Sequence, residues 1–261
     1  SLYWVFLCGA IIASSNSGMA QTNLTWIGLS GSDWSDQNNW EPAMVPTAVD
    51  TVNLNSGSIT IPSNATFAVM NFNGGVIGGA FTLNGTLNWS EGAFGAALTI
   101  TSNGVLNISG EQQKSFSTNS FIENAGTVVW NNGWLRADQV GLAFHNLPGG
   151  LFEMRSNAFY FYSENSPVFL NEGTVRKSAG DFTDFALAFT NSGTVDVQTG
   201  QITFITGIAS TGLFTGAGTA ALRGQVSGIL NGNNFVYRSD FLQGAFTLNG
   251  TLNWSEGAFG A

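Results

Sequence analysis

From about Phe67 onward the chain repeats one short pattern of polar and apolar positions: a glycine, usually a threonine, an apolar residue, any residue, then usually another apolar one. It reads GTLNW from Gly85, GVLNI from Gly104, GTVVW from Gly126, GLFEM from Gly150, GTVRK from Gly173, GTVDV from Gly193, GTAAL from Gly218 and GTLNW again from Gly250. Successive anchors are 19, 22, 24, 23, 20, 25 and 32 residues apart, and the widest gap predicts a further unit with a decayed signature around Gly228 to Asn231. A second turn residue follows each anchor by seven positions (Gly92, Gly133, Asn157, Gly180, Gly200, Gly257) or by six (Gly110, Gly224). Each unit therefore predicts turn, strand, turn, strand and a variable return. Strand alternation sends Leu87 and Trp89, Leu106 and Ile108, Val128 and Trp130, Phe152 and Met154, and Val195 and Val197 to one inward face.

The return segments carry Ile122, Phe144, Phe169 and Phe189, each two residues before an asparagine. If consecutive units lie one above the other at about 4.8 Å, these side chains form a stacked apolar ladder and the asparagines form a second ladder. Asparagine suits such a turn because it tolerates left-handed backbone geometry and its amide both donates and accepts. Repeats of this length without a 3.6-residue period predict an all-β chain, a right-handed parallel β-helix (β-solenoid) of about 20–25 residues per coil. A β-sandwich has no reason to repeat the same turn residues at the same offset, and an outer-membrane barrel needs longer alternating strands.

A longer repeat overlies the short one. GAFTLNGTLNWSEGAFGA occupies 79–96 and returns unchanged at 244–261, an offset of 165 residues. Residues 21–62 differ from both: Trp26, Trp34 and Trp40 fall close together, followed by Pro42, Pro46 and the first short strands. The preferred reading is a Trp-rich N-terminal cap that hides the first coil; the alternative is a ligand-contact surface in which Trp26, Trp34 and Trp40 stack on sugars. Asp33, Asp36, Asn38 and Asn39 offer oxygen ligands but lack the spacing of a calcium loop, so they read as turn formers.

Composition narrows the partners. Charged residues make up 9% of the chain, against roughly 25% in ordinary soluble domains. The balance is acidic, with 16 Asp plus Glu and 7 Lys plus Arg. With no basic cluster to neutralise phosphates, nucleic acid is excluded as a partner. Residues 1–20 run from an apolar stretch, Leu2 to Ile12, to the small-residue cleavage pattern Gly18-Met19-Ala20, which reads as a signal peptide incomplete at its start. That stretch is too short to span a membrane, so no transmembrane span is expected in the mature chain. Cys8, the one cysteine, falls within it. The expected location is secreted or cell-surface. The organisation is a signal peptide at 1–20, cap and first strands at 21–62, coils at 63–243 and the start of a duplicated block at 244–261, read as part of a longer polypeptide.

NEGTVRKSAG (171–180), FTNSGTVDVQTGQITF (189–204) and the Trp-rich opening segment make the chain resemble secreted bacterial β-helix proteins of the autotransporter-passenger and filamentous-haemagglutinin kind. The resemblance implies a large exported surface or extracellular protein, often adhesive, with glycans or a cell surface as partner. It carries over no catalytic, cofactor or metal residue.

Two alternatives stay open. A polysaccharide lyase or glycoside hydrolase on this scaffold would draw its carboxylates from Glu164, Asp181, Asp184 and Asp196, with Arg176 and Lys177 nearby. Lys177 stands at an inward position, and the reading preferred is that it lies in the turn, since a buried ammonium is costly. His145, the single histidine, has no partners for a triad or a metal site. A carbohydrate- or ice-binding surface would use Thr86, Thr127, Thr174, Thr194, Thr219 and Thr251 as an outward ladder, interrupted by Val105 and Leu151. The non-enzymatic structural or adhesive reading is preferred to both.

Overall fold

The computed structural model describes residues 20–117, 120–137, 141–162 and 167–259. The expected signal peptide lies outside them, apart from Ala20. The described chain is a β-solenoid of stacked parallel coils, with three strand positions per coil and a single 3-10 turn at Gln37–Asn39. The first face stacks Asn23–Trp26, Thr51–Leu54, the openings of the long strands Val69–Leu83 and Thr86–Ile100, then Val105–Ile108, Thr127–Trp130, Leu151–Met154, Thr174–Lys177, Thr194–Val197 and Leu213–Thr215. The second face carries Ser58–Ile61, Gln113–Phe116, Trp134–Ala137, Ala158–Tyr162, Phe182–Ala186, Gln201–Phe204 and Thr219–Leu222. The third carries Phe121–Asn124, Gly141–Asn146, Pro167–Asn171, Ala188–Asn191 and Gly207–Ser210. The long strands, including Gln225–Leu242 and Phe246–Phe259, run on round the corners from one face to the next.

Counted along the paired positions Thr51, Val69, Thr86, Val105, Thr127, Leu151, Thr174, Thr194, Leu213, Asn231 and Asn249, the coils are 18, 17, 19, 22, 24, 23, 20, 19, 18 and 18 residues long. The coils at both ends are thus shorter than the expected 20–25 residues, and those at the C-terminal end are shorter than the anchor spacings of 25 and 32. GTAAL is the reason at one end: Thr219–Leu222 pairs with Gln201–Phe204 on the second face, and the first-face strand of that coil is Leu213–Thr215. The decayed unit is present, with Asn231 paired to Leu213.

The five inward pairs on the first face are all buried. Packing inside is aromatic. Phe144 and Phe169 stack at 4.9 Å with planes 7° apart, and Phe169 and Phe189 at 5.2 Å and 16°. Parallel in-register pairing places like side chains over one another, and ring faces accept that arrangement at a separation close to the strand spacing.

The asparagine ladder runs beside them. Asn124 donates to Asn146 Oδ1 (2.8 Å), Asn146 to Asn171 Oδ1 (2.8 Å), Asn171 to Asn191 Oδ1 (2.7 Å) and Asn191 to Ser210 Oγ (3.2 Å). All four are buried. Their amides also reach main-chain carbonyls, Asn146 to Thr174 and Asn171 to Thr194, so each desolvated group keeps partners. Left-handed geometry plays no part: among the described non-glycine residues only Asn234 has positive φ. The amide's double role is the physical reason for asparagine here.

Glycines serve two purposes. At the anchor Gly173 a Cβ would stand 2.4 Å from the carbonyl oxygens of Gly150 and Leu147, so the coil beneath leaves no room for a side chain. At the second turn, Gly180 adopts φ +78°, which favours glycine.

The cap closes the first coil. Trp34 and Trp26 both meet Trp40 edge-on at 4.9 Å, and Trp40 donates its indole N–H to Trp34 O at 2.8 Å. Asp50 ties the cap to the coils by accepting from Thr22 N, Thr47 N and Thr47 Oγ1 at 2.9, 2.8 and 2.6 Å. Burial pushes its carboxyl up, but these hydrogen bonds outweigh burial and hold it below the usual range.

Candidate functional site

The three tryptophans offered as sugar contacts are packed inside the cap: Trp26, Trp34 and Trp40 are 4%, 2% and 0% exposed. No ring face among them is open for stacking. Asp33, Asp36 and Asn39 spend their side-chain oxygens on local turns, accepting from Ser35 N, Asn38 N and Ser30 N respectively.

The described acidic candidates, Asp181, Asp184 and Asp196, do not share one face. Asp181 is exposed in the turn between the first and second faces, Asp184 lies on the second face and Asp196 on the first; Glu164 is outside the described residues. Asp196 is fully engaged, accepting from Arg176 Nε (2.9 Å), Gln198 Nε2 (3.0 Å) and Thr215 Oγ1 (3.1 Å). His145 faces outward on the third face, with Nε2 2.9 Å from Glu172 and Nδ1 3.8 Å from Glu123. Of the threonines, Thr86, Thr127, Thr174 and Thr194 share a column broken by Val105 and Leu151. Thr219 belongs to the second face, and Thr251 also falls outside the column, where Asn249 holds the corresponding position.

Lys177 departs from its expected place in the turn. It ends the strand Thr174–Lys177, points inward and is fully buried, its ammonium donating to Ser156 O (3.1 Å), Ala179 O (2.9 Å) and Thr183 Oγ1 (3.3 Å). Lys114 is buried likewise, donating to Gly110 O (3.1 Å) and Gln112 O (2.9 Å). Main-chain carbonyls left free at the turn take the role a carboxylate would otherwise have. Burial lowers each lysine to about 8, against the opposing pull of Glu91 on Lys114 and of Asp181 on Lys177.

One feature of the second face escaped the sequence reading. Trp134, 56% exposed, and Phe182, 43% exposed, open strands two coils apart, and the strand between them is Ala158–Tyr162, of sequence AFYFY. Trp134 pairs with Phe159, which pairs in turn with Asp184; Arg136 is exposed on the same strand as Trp134. In both coils an aromatic follows a second-turn glycine, directly after Gly133 and two residues after Gly180, and this unequal offset is why spacing alone does not show it to face outward. Two exposed aromatic side chains, two coils apart on one face, make this the candidate contact surface among the described residues.

No helix among the described residues is long and apolar enough to cross a membrane. Compared with known proteins, the chain matches no family model, no curated protein and no solved structure.

Proposed function

We propose that this is a non-enzymatic, exported surface or extracellular protein whose solenoid is a rigid stalk and whose second face is adhesive toward glycans. The exposure of Trp134 and Phe182 on either side of the AFYFY strand carries this reading. Indole and phenyl faces stack on the C–H face of a pyranose, and a site built on stacked strands needs no ordering when ligand arrives. Two further observations support it. The described acidic candidates, Asp181, Asp184 and Asp196, are distributed over different parts of the coil, with Asp196 held by three donors, whereas hydrolysis or elimination needs convergent titratable groups. The apolar opening of residues 1–20 supports export.

A glycan-array and polysaccharide-depolymerisation screen on the segment from Gln21 tests the proposal. Binding that falls about ten-fold or more in Trp134→Ala and Phe182→Ser, with an unchanged unfolding midpoint, is the expected outcome. Release of unsaturated or reducing oligosaccharides would overturn the non-enzymatic reading, and ligand binding untouched by both substitutions would remove the aromatic surface from it.

A further inference from the structure

Six asparagines in the chain precede a glycine: Asn73, Asn84, Asn103, Asn132, Asn231 and Asn249. Such a pair is chemically weak, because nothing on the following residue keeps its main-chain nitrogen away from the side-chain carbonyl carbon. The fold restrains five of them. Asn73 donates to Asn55 Oδ1 (3.1 Å) and accepts from Ser90 Oγ (2.9 Å). Asn84 accepts from Thr101 Oγ1 (2.8 Å), and Asn249 donates to Asn231 Oδ1 (3.1 Å). At Asn103 the following nitrogen is drawn away from the side-chain carbonyl, since Gly104 N–H is given to the main-chain Thr101 O at 2.9 Å.

Asn132 differs. Its Oδ1 accepts from the N–H of Gly133 itself at 2.8 Å, so the side-chain carbonyl group and the nitrogen that would attack its carbon are held side by side. Gly133 is fixed in that position: its φ is +80° and its carbonyl accepts from Trp130 Nε1 at 3.1 Å. A Cβ on Gly133 would meet Lys114 Nζ at 2.7 Å, so a buried ammonium lies against the same turn. Asn132 is exposed, which leaves water free to reach it.

The geometry points to Asn132 as a site of spontaneous deamidation, favoured by the fold over the other Asn-Gly pairs. The Gly133 nitrogen bonds to Asn132 Cγ, the Cγ–Nδ2 bond breaks, and ammonia leaves with the proton that Gly133 gave up, closing a succinimide. Water then opens the ring at either carbonyl to aspartate or isoaspartate. The balance is one water consumed and one ammonia released, with no oxidant or reductant. Holding nucleophile and carbonyl together removes the search over rotamers that limits this reaction in a flexible chain. The product places a negative charge two residues before Trp134, so this chemistry would alter the electrostatics beside the aromatic surface.

The experiment incubates the folded protein in mildly alkaline buffer and follows each Asn-Gly peptide by mass spectrometry, with a urea-unfolded sample in parallel. Expected is conversion at Asn132 about ten-fold or more faster than at any of the other five in the folded protein, and a collapse of that difference in urea. Conversion at Asn132 no faster than at Asn84 or Asn103 in the folded protein overturns the inference, as does an equal preference for Asn132 in urea, which would make it a property of local sequence.

Discussion

Replacing Asn171 by leucine removes three hydrogen bonds from the interior of the solenoid while leaving side-chain size nearly unchanged. Asn171 accepts from Asn146 at 2.8 Å and donates to Asn191 Oδ1 at 2.7 Å and Thr194 O at 3.1 Å, and it is fully buried. Three neutral hydrogen bonds at about 1 kcal/mol each give a loss of about 3 kcal/mol. Asn191 Oδ1 then loses its donor in the interior, which adds about 1–3 kcal/mol. Burial of the leucine side chain offsets roughly 2 kcal/mol. The net expectation is a loss of about 2–4 kcal/mol. Asn88 is the control, because it holds the equivalent place in an outer ladder, donating to Asn71 and accepting from Asn107 at 2.9 Å, but is half-buried. Water can replace its partners, so Asn88→Thr should cost about 0.5 kcal/mol or less. Urea titrations by tryptophan fluorescence measure both. Hydrogen exchange in the coils flanking Asn171 supplies a local reading, since a stack of coils can unfold in parts. Asn171→Leu costing under about 1 kcal/mol, or no more than Asn88→Thr, would refute the claim that the buried ladder holds the coils in register.

The two buried lysines predict a stability that rises on the alkaline side. Their folded-state value of about 8 lies below the ordinary 10.5, so between those values the unfolded chain binds more protons and stability increases with pH; the gain is complete above 10.5 and absent below 8. Each contributes less than about 3 kcal/mol, because carbonyls partly replace the ammonium's water. The urea midpoint followed across this range should climb, and Lys177→Met should remove about half of the climb. A midpoint that falls throughout would mean that the carbonyls hold each ammonium more strongly than burial weakens it, and would refute the lowered values. Among the glycines, Gly173→Ala should destabilise by about 1–3 kcal/mol or more, since its Cβ would lie 2.4 Å from two carbonyl oxygens. Gly78→Ala should change little, its Cβ meeting nothing closer than Ile59 O at 3.7 Å, and the same titration compares the two.

The first strand of each coil was legible because an anchor glycine fixes its start and alternation does the rest: Leu87, Trp89, Val128 and Trp130 could be assigned inward from spacing alone. The asparagine and phenylalanine ladders were legible for the same reason. Three features were not. Lys177 was misplaced because sequence reasoning looks for a carboxylate beside a buried ammonium, whereas the turn supplies oxygens from the main chain, which no residue type announces. Gly218 reads as an anchor because a glycine-threonine pair also opens a second-face strand there, while the first-face strand of that coil starts at Leu213, directly after Gly212, with leucine in the threonine position. Trp134 and Phe182 were overlooked because the second strand follows a turn of variable length, so its inward and outward positions cannot be phased from the first.

The exact internal repeat shows how far identity of sequence determines position. In the first copy Phe81 and Leu83 lie on the third face, Leu87 and Trp89 on the first and Phe94 on the second, all buried. In the second copy Phe246 pairs with Gly228, Leu248 with Leu230, Leu252 with Phe235 and Trp254 with Tyr237. Gly228 continues the column of Ser210, Asn191 and Asn124, which begins with Ile100 and Leu83. Phe246 therefore occupies the column that Leu83 holds in the first copy, two residues out of step. Leu252 and Trp254 fall on the second face, where Phe235 and Tyr237 lie. A shift of two is the smallest that strand geometry permits, because a one-residue slip would turn every inward side chain outward. Leu248 still lies over the buried Leu230, and Trp254 over the buried Tyr237; both are partly exposed on the last described layer. Alternation within the eighteen residues fixes which side chains face the core. The coil beneath fixes which column each of them enters.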